Sequence, residues 1–128
     1  MKDTASGYIV LVVDPDARMR ALLVDQLSSH SCTVVQAADG TAALHMVNDI
    51  DVRVVITELY QHVGEDDDLI HAIRRDRKLR KTRTLVHTKC ATSADRDWAL
   101  RSGADAYLIK PIGKDALMWR LSSLGLHS

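Results

Sequence analysis

The chain has 128 residues, with 17 Lys and Arg against 17 Asp and Glu, so its formal net charge is +0 at pH 7. This length fits one domain, and a hydrophobic fraction of 46% with 27% charged residues excludes bulk disorder. The charge balance argues against a globally basic nucleic-acid binder, and no apolar run reaches the roughly 20 residues of a membrane span. Without the apolar core of a secretory signal, we expect a cytoplasmic protein.

Two cysteines, Cys32 and Cys90, lie far apart and share no metal-binding or redox spacing. In the expected reducing compartment they are predicted to be free thiols, each acting as a small buried apolar side chain. Phe is absent, so the core must be mainly aliphatic.

Short apolar runs recur along the chain and are typical of strands that are buried on both faces. The predicted strands lie at Tyr8–Val13, Thr33–Val35, Val52–Ile56, Thr84–Val86 and Ala106–Ile109.

Segments with apolar residues at helical spacing follow each predicted strand. They centre on Leu23 to Leu27, Ala43 to Val47, Leu69 to Ile73, Ala94 to Ala99 and Leu117 to Leu124, and Ser93 is the predicted N-cap of the fourth helix. Strict alternation predicts an α/β fold with a doubly wound, five-stranded parallel sheet flanked by five helices. The chain is predicted to be one domain over residues 1–128, with a core at about 8–124 and loose tails at residues 1–7 and 127–128.

Acidic, hydroxyl and basic side chains follow the predicted strands, at the sheet edge where ligands bind in such folds. Asp14, Glu58, Thr88 and Lys110 are the residues in question. Carboxylates bind hard cations such as Mg²⁺, and a hydroxyl with an ammonium suits phosphoryl oxygens. No Gly-rich phosphate loop is present, so a nucleotide is not the expected ligand.

The order of these motifs resembles the receiver domain of two-component response regulators, over about residues 8–124. The matching segments are Val10-Leu11-Val12-Val13-Asp14, Ala38-Asp39-Gly40, Val55-Ile56-Thr57-Glu58-Leu59-Tyr60, Thr88, and Gly103-Ala104-Asp105-Ala106-Tyr107-Leu108-Ile109-Lys110-Pro111. The resemblance implies a flavodoxin-like fold, no enzymatic activity of its own, and a role in phosphorelay signalling.

In that family a histidine kinase transfers a phosphoryl group to an aspartate after the third strand, beside a bound Mg²⁺. The resemblance places Glu58 at the phospho-acceptor position and assigns Mg²⁺ ligation to Asp14, to Glu58 and to the main-chain carbonyl of Tyr60. Asp16 is a further candidate ligand, but it is also a candidate N-cap of the first helix.

Switching in the family depends on residues that sense the phosphoryl group. Thr88 matches the sensing hydroxyl, Lys110 the lysine that contacts the phosphoryl group, and Tyr107 the aromatic whose rotamer follows the threonine. Pro111 matches a proline that is often preceded by a cis peptide bond.

Two departures from the family pattern affect the chemistry. Glu58 replaces the acceptor aspartate, and Pro15 replaces the second acid of the metal-binding pair. The glutamate side chain is longer by about 1.5 Å, so we expect its carboxylate to reach toward Lys110 and Thr88. The leading hypothesis is therefore an atypical receiver that binds no Mg²⁺ or binds it weakly. The alternative is a functional Mg²⁺-dependent receiver that uses Glu58, and whether a Glu58–Lys110 pair mimics phosphorylation or is inert stays open.

Partners are expected at the face formed by the fourth helix, the fifth strand and the fifth helix. The resemblance implies a protein partner there: a kinase, an effector domain, or a second receiver, including a homodimer. Trp98 and Trp119 lie on the two helices, either packed into the core or exposed as binding hot spots.

A basic run precedes the fourth strand and consists of Arg74, Arg75, Arg77, Lys78, Arg80, Lys81 and Arg83. A solvated helix end explains it best, and nucleic-acid binding is the disfavoured alternative. The acids Glu65 to Asp68 are expected at a helix N-terminus, His87 is expected to be buried or to face a partner, and His62 and His71 are expected to be exposed. A flavin carrier on the same sheet is also disfavoured, because the acidic segment after the first strand would repel a phosphate.

Overall fold

The structure is a computed structural model and describes residues 7–126. Its main strands are β1 (Tyr8–Val13), β2 (Cys32–Ala37), β3 (Val52–Thr57), β4 (Arg83–Thr88) and β5 (Ala106–Ile109). Its helices are α1 (Ala17–Leu27), α2 (Gly40–Asp49), α3 (Leu69–Arg75), α4 (Ser93–Ser102) and α5 (Lys114–Ser123). The predicted alternation of five strands and five helices is confirmed. Of the predicted tails, residues 1–6 and 127–128 lie outside the described residues.

The five strands form one parallel sheet in the order β2-β1-β3-β4-β5. Val13 at the end of β1 lies beside Thr57 at the end of β3, and Thr88 at the end of β4 lies beside Ile109. The carboxyl ends of the strands therefore meet at one edge, as the sequence pattern predicted.

Both faces of the sheet are buried, which explains why the strand sequences are continuously apolar rather than alternating. Val10 and Val12 of β1 belong to a core cluster that is shared with α1 and α5. Leu11 and Val13 of the same strand belong to a second cluster, shared with α2 and α3. A third, smaller cluster joins α3, α4 and β4 through residues such as Ile70.

A short antiparallel hairpin between β3 and α3 was not predicted. It pairs His62–Val63 with Asp67–Asp68, and strands of two residues are too short to show a periodic pattern. The predicted helix N-terminus is nevertheless there, because the Asp68 side chain caps α3 by accepting a hydrogen bond from Ile70 N. A 3-10 turn at Arg77–Leu79 follows α3.

Several predictions for single residues need correction. The N-cap of α4 is Thr92 rather than Ser93, because the Thr92 hydroxyl accepts the hydrogen bond from Asp95 N. Both cysteines are free as predicted, but neither is fully buried: Cys32 is half-buried, and Cys90 is exposed because it lies in the loop after β4.

The tryptophans and histidines have distinct environments. Trp98 is half-buried against the third core cluster, whereas Trp119 is 65% exposed, so the packed alternative is wrong for Trp119. His87 is buried and His62 and His71 are exposed, as predicted. Within residues 7–126, no helix combines the length and the hydropathy needed to span a bilayer; the cytoplasmic location stays a prediction.

Gly40 permits a close contact between α2 and the segment that leads into the hairpin. A Cβ atom at this position would lie 2.4 Å from His62 O and 2.8 Å from Gln61 O. These neighbours are backbone atoms that cannot turn away as a flexible side chain would. The glycine is thus required by packing, since it begins a helix in which alanine has the better intrinsic propensity.

We expect Gly40→Ala to lower the free energy of unfolding by about 1–3 kcal/mol, the usual cost of overpacking, despite the better helix propensity of alanine. Gly113→Ala is the control for crowding: Gly113 is the N-cap of α5, and a Cβ there would meet nothing within 4 Å, so this variant measures the cost of alanine at a helix start without overpacking. Urea unfolding measures both variants. Equal stabilities of the two variants would contradict this explanation of Gly40.

Candidate functional site

The candidate site is built by three residues that each follow the last residue of a strand. Backbone hydrogen bonds extend the sheet by one position: Asp14 N donates to Ala37 O at 3.1 Å, Glu58 N to Val13 O at 2.8 Å, and Lys110 N to Thr88 O at 2.9 Å. This ladder fixes the Cα positions of all three residues, so their side chains start from a rigid edge.

Lys110 lies between two carboxylates. Its Nζ atom is 2.7 Å from Asp14 Oδ2 and 2.7 Å from Glu58 Oε1. The side chains of Lys110 and Asp14 are only 6% and 4% exposed, and that of Glu58 is 22% exposed. The ammonium therefore bridges two acids in a site with little water, where charge-assisted hydrogen bonds are strong.

The other two carboxylate oxygens are also engaged. Asp14 Oδ1 accepts from Asp16 N at 2.8 Å, and Glu58 Oε2 accepts from Leu59 N at 2.5 Å. All four oxygens of the two acids thus have a hydrogen-bond donor. A metal ion at this place would have to displace one or more of these donors.

Asp16, the further candidate metal ligand, has a structural role. The Asp16 side chain caps α1 by accepting a hydrogen bond from Arg18 N at 2.9 Å, so the capping alternative is confirmed. Pro15 offers no carboxylate. Among residues 7–126, no group of three or more His, Cys, Asp or Glu side chains is placed to share a metal ion. The donor set therefore does not fit Mg²⁺ without rearrangement, because Mg²⁺ demands near-ideal octahedral geometry.

The ionisation of the bridge follows from its contacts. Partial burial raises the pKa of Glu58, but interactions with Lys110, with Thr88 and with Leu59 N outweigh burial and hold the pKa below its usual value of 4.5. Burial lowers the pKa of Lys110, but Asp14 and Glu58 outweigh it, so that pKa lies above its usual 10.5. The Glu58–Lys110 pair is therefore fully ionised at neutral pH.

Thr88 and Tyr107, the two predicted switch positions, are linked through one residue. Cys90 N donates to Thr88 Oγ1 at 3.3 Å, and the Tyr107 hydroxyl donates to Cys90 O at 2.7 Å. The loop after β4 thus connects the Thr88 hydroxyl to the Tyr107 hydroxyl through two hydrogen bonds. Sequence reasoning missed this role of Cys90, because its contacts are made by backbone atoms.

Tyr60 has a left-handed backbone conformation, with φ at 59°. Such a conformation costs roughly 1–3 kcal/mol in a non-glycine residue. The Tyr60 hydroxyl donates to Asp95 Oδ1 at 2.5 Å, and its ring centroid lies 4.7 Å from that of Trp98. These contacts tie the loop after β3 to α4. Asp95 was not singled out, although Thr92 and Asp95 have the spacing of a capping box, which is a usable signal.

Pro111 and His87 position the segment that follows Lys110. The Lys110–Pro111 peptide bond is cis, as the resemblance implied. His87 Nε2 accepts from Ile112 N at 3.1 Å, which holds the chain just past the proline. Burial, together with the positive charge of Lys110, lowers the pKa of His87 to about 4, so the ring is neutral at pH 7.

The family model for the response regulator receiver domain matches residues 10–122. The transcriptional regulatory protein TcrA of Mycobacterium tuberculosis is 34% identical over 119 residues, which cover 93% of this chain and 46% of that protein. The nitrate/nitrite response regulator protein NarP of Escherichia coli is 28% identical over 116 residues, covering 89% of this chain and 53% of that protein. The chain thus spans about half the length of these relatives.

Solved structures agree in fold. A response regulator protein from Burkholderia multivorans has a TM-score of 0.77 at 28% identity, covering 95% of this chain and 98% of that one. The chemotaxis response regulator CheY4 of Vibrio cholerae has a TM-score of 0.81 at 24% identity, covering 92% and 98%. With the strand order, the family model and the relatives in agreement, this chain belongs to the response regulator receiver domain family of two-component signalling.

Proposed function

We propose that this receiver does not run the usual aspartate phosphorylation cycle and acts instead as a protein-interaction module held in one state. The observation that carries the proposal is Lys110 Nζ at 2.7 Å from both Asp14 and Glu58. We attribute this contact of the Glu58 carboxylate with the lysine to the added methylene of glutamate. Since Asp16 caps α1 and residue 15 is proline, any Mg²⁺ binding is weak.

The Glu58–Lys110 pair reproduces part of what a phosphoryl group would do. A carboxylate carries about −1 and a phosphoryl group about −1.5 to −2, and both attract the lysine ammonium. The Thr88 side chain is one of the groups that lower the pKa of Glu58, and we propose that this interaction couples Glu58 to the threonine and to the Tyr107 link. We therefore propose that the module is constitutive, and that the mimicry of the phosphorylated form is partial.

Receivers of this family interact with kinases and effector domains, and we propose that the partner of this chain contacts α4, β5 and α5. β5 is an edge strand of the sheet. Ile109 on this strand is 49% exposed, and Trp119 on α5 is 65% exposed with the Arg120 guanidinium 5.3 Å from its ring centroid. Exposed aromatic and arginine side chains are the residue types that dominate protein–protein binding energy.

Intact mass spectrometry after incubation with Mg²⁺ and acetyl phosphate tests the proposed loss of phosphorylation. We expect no gain of mass in the wild-type chain, because the lysine and backbone donors occupy the carboxylate. The variant with Pro15→Asp and Glu58→Asp regains both acids and is expected to gain about 80 Da, the mass of one phosphoryl group. An adduct of wild type that maps to Glu58 would instead establish a working receiver that uses glutamate.

The pH dependence of stability tests the ion pair. Because the pKa of Glu58 is below 4.5 in the folded state, its contribution is present above pH 4.5 and is lost as the pH falls below that value. Lys110 has the opposite pH dependence. Because its pKa is raised above 10.5 in the folded state, its contribution to stability is present below pH 10.5 and is lost as the pH rises above that value. Urea unfolding as a function of pH should show that wild type loses stability at both low and high pH. Glu58→Gln should lose less stability at low pH.

Glu65→Gln is the matched control, because Glu65 is exposed and makes no ion pair among residues 7–126. His87 adds a separate loss below pH 6.5, since the unfolded chain protonates there and the folded chain only near pH 4. Wild type and Glu65→Gln share that loss, whereas Glu58→Gln removes a charge that raises the pKa of His87. The difference between Glu58→Gln and Glu65→Gln therefore reports Glu58 together with its effect on His87. Identical acid profiles for wild type and Glu58→Gln would contradict an energetically important pair.

If Trp119 serves to bind a partner, replacing the two tryptophans by alanine should change the free energy of unfolding by different amounts. Trp119→Ala should change the unfolding free energy by less than about 0.5 kcal/mol, as is usual for exposed positions. Trp98→Ala, which removes the packing against Tyr60, should cost about 2 kcal/mol or more. Urea unfolding compares them. Equal losses of stability in the two variants would mean that Trp119 stabilises the fold, and would contradict its proposed role in binding a partner.

A further inference from the structure

A second concave surface lies at the opposite edge of the sheet, where the strands begin. Its larger part is a cavity of about 820 Å³. One wall is formed by the end of α2 and the start of β3, and the other by the 3-10 turn and the segment that leads into β4. A smaller cavity of about 320 Å³ continues it to the end of α5. Arg53, Arg80 and Lys81 line both cavities, which together we name the basic groove.

The groove brings together cations for which residues 7–126 supply no ion-pair partner. Five exposed side chains line it and make no ion pair within residues 7–126. They are Arg53, Arg77, Lys78, Arg80 and Lys81.

The rest of the predicted basic run has a structural role. Arg74 and Arg83 pair with Asp105 at 3.3 and 3.7 Å, and Arg75 pairs with Asp67 at 2.6 Å. The run is therefore divided between cations used by the fold and cations left at the groove.

A solvated helix end does not account for the whole groove. Helix dipoles favour cations only within the last turn, which covers Arg77 and Lys78 of the 3-10 turn. Arg53 lies in β3 and Lys81 in the loop before β4. The walls are held together in the fold, because the Thr82 hydroxyl donates to Val52 O at 3.0 Å. The like charges are thus gathered on a preformed surface, which suits an anionic ligand.

The lining indicates which anion fits. Asp49 and Asp51 also line the larger cavity, so a ligand must place its negative charges at the cations and away from these two carboxylates. A peptide can space its acids in this way, whereas the phosphates of a nucleic acid are evenly spaced. Among residues 7–126, no aromatic side chain lines either cavity, so this part of the chain offers no surface on which bases could stack. The apolar side chains of Ile50, which is 38% exposed, and of Leu79 are available between the cations.

We propose that the basic groove binds an acidic, extended segment of a partner protein, with Asp or Glu side chains at the cations and an aliphatic side chain against Ile50 and Leu79. This interaction is independent of the Glu58 site, which lies at the other edge of the sheet. The module would then have two contact surfaces, one apolar and aromatic at α4, β5 and α5, and one selected by charge.

Fluorescence anisotropy with a labelled glutamate-rich peptide that contains a central leucine tests the proposal. We expect saturable binding to the whole chain, weakened as salt shortens the Debye length from about 30 Å at 0.01 M to about 3 Å at 1 M. The variant with Arg80→Glu and Lys81→Glu should lose about tenfold or more in affinity.

The matched control is Arg18→Glu with Lys114→Glu, which makes the same change of net charge in the first turns of α1 and α5. Acids are favourable there, and these residues lie outside the groove, so the control should bind the peptide nearly as wild type does. Circular dichroism checks folding, and Arg53→Glu replaces the double variant if that variant unfolds. Absent binding, or equal losses in groove and control variants, would overturn the proposal. So would a DNA duplex that displaces the labelled peptide at lower concentration than the unlabelled peptide does.

Discussion

The ammonium of Lys110 has a fixed place between the carboxylates of Asp14 and Glu58, and the rest of the candidate site follows from it. A buried and a partly buried carboxylate at the edge of a sheet would repel each other without a cation between them. The lysine supplies that cation from within the chain. We propose that this internal cation, rather than a metal ion, balances the site, so that the receiver fold is kept while its usual chemistry is lost.

The site depends on backbone geometry as much as on side-chain identity. Parallel strands with registered ends place Asp14, Glu58 and Lys110 next to one another before any side chain is considered. The Glu58 carboxylate contacts the lysine directly, and we propose that the length of this side chain decides the chemistry. At the same edge, backbone atoms of Cys90 connect Thr88 to Tyr107, which keeps a path from the site to the proposed partner face.

The fold and the main site residues were predictable because they depend on order and period along the chain. Continuous apolar runs predicted the strands, and the strand ends predicted that Asp14, Glu58 and Lys110 lie at one edge of the sheet. The hairpin at residues 62–68, the exposure of Cys90 and the contact of Tyr60 with Asp95 were not predicted. These features depend on tertiary placement of loops and on backbone donors, for which a single sequence carries little periodic signal.

The most direct test of the central claim is a Mg²⁺ titration followed by NMR at the backbone amides of Glu58, Leu59 and Lys110, for wild type and Lys110→Met. If the ammonium holds the place of the metal, the wild-type amides will show no saturable shift at millimolar Mg²⁺, and the variant will bind Mg²⁺ at lower concentration. Saturation of the wild-type amides at submillimolar Mg²⁺, with no gain in the variant, would contradict the account.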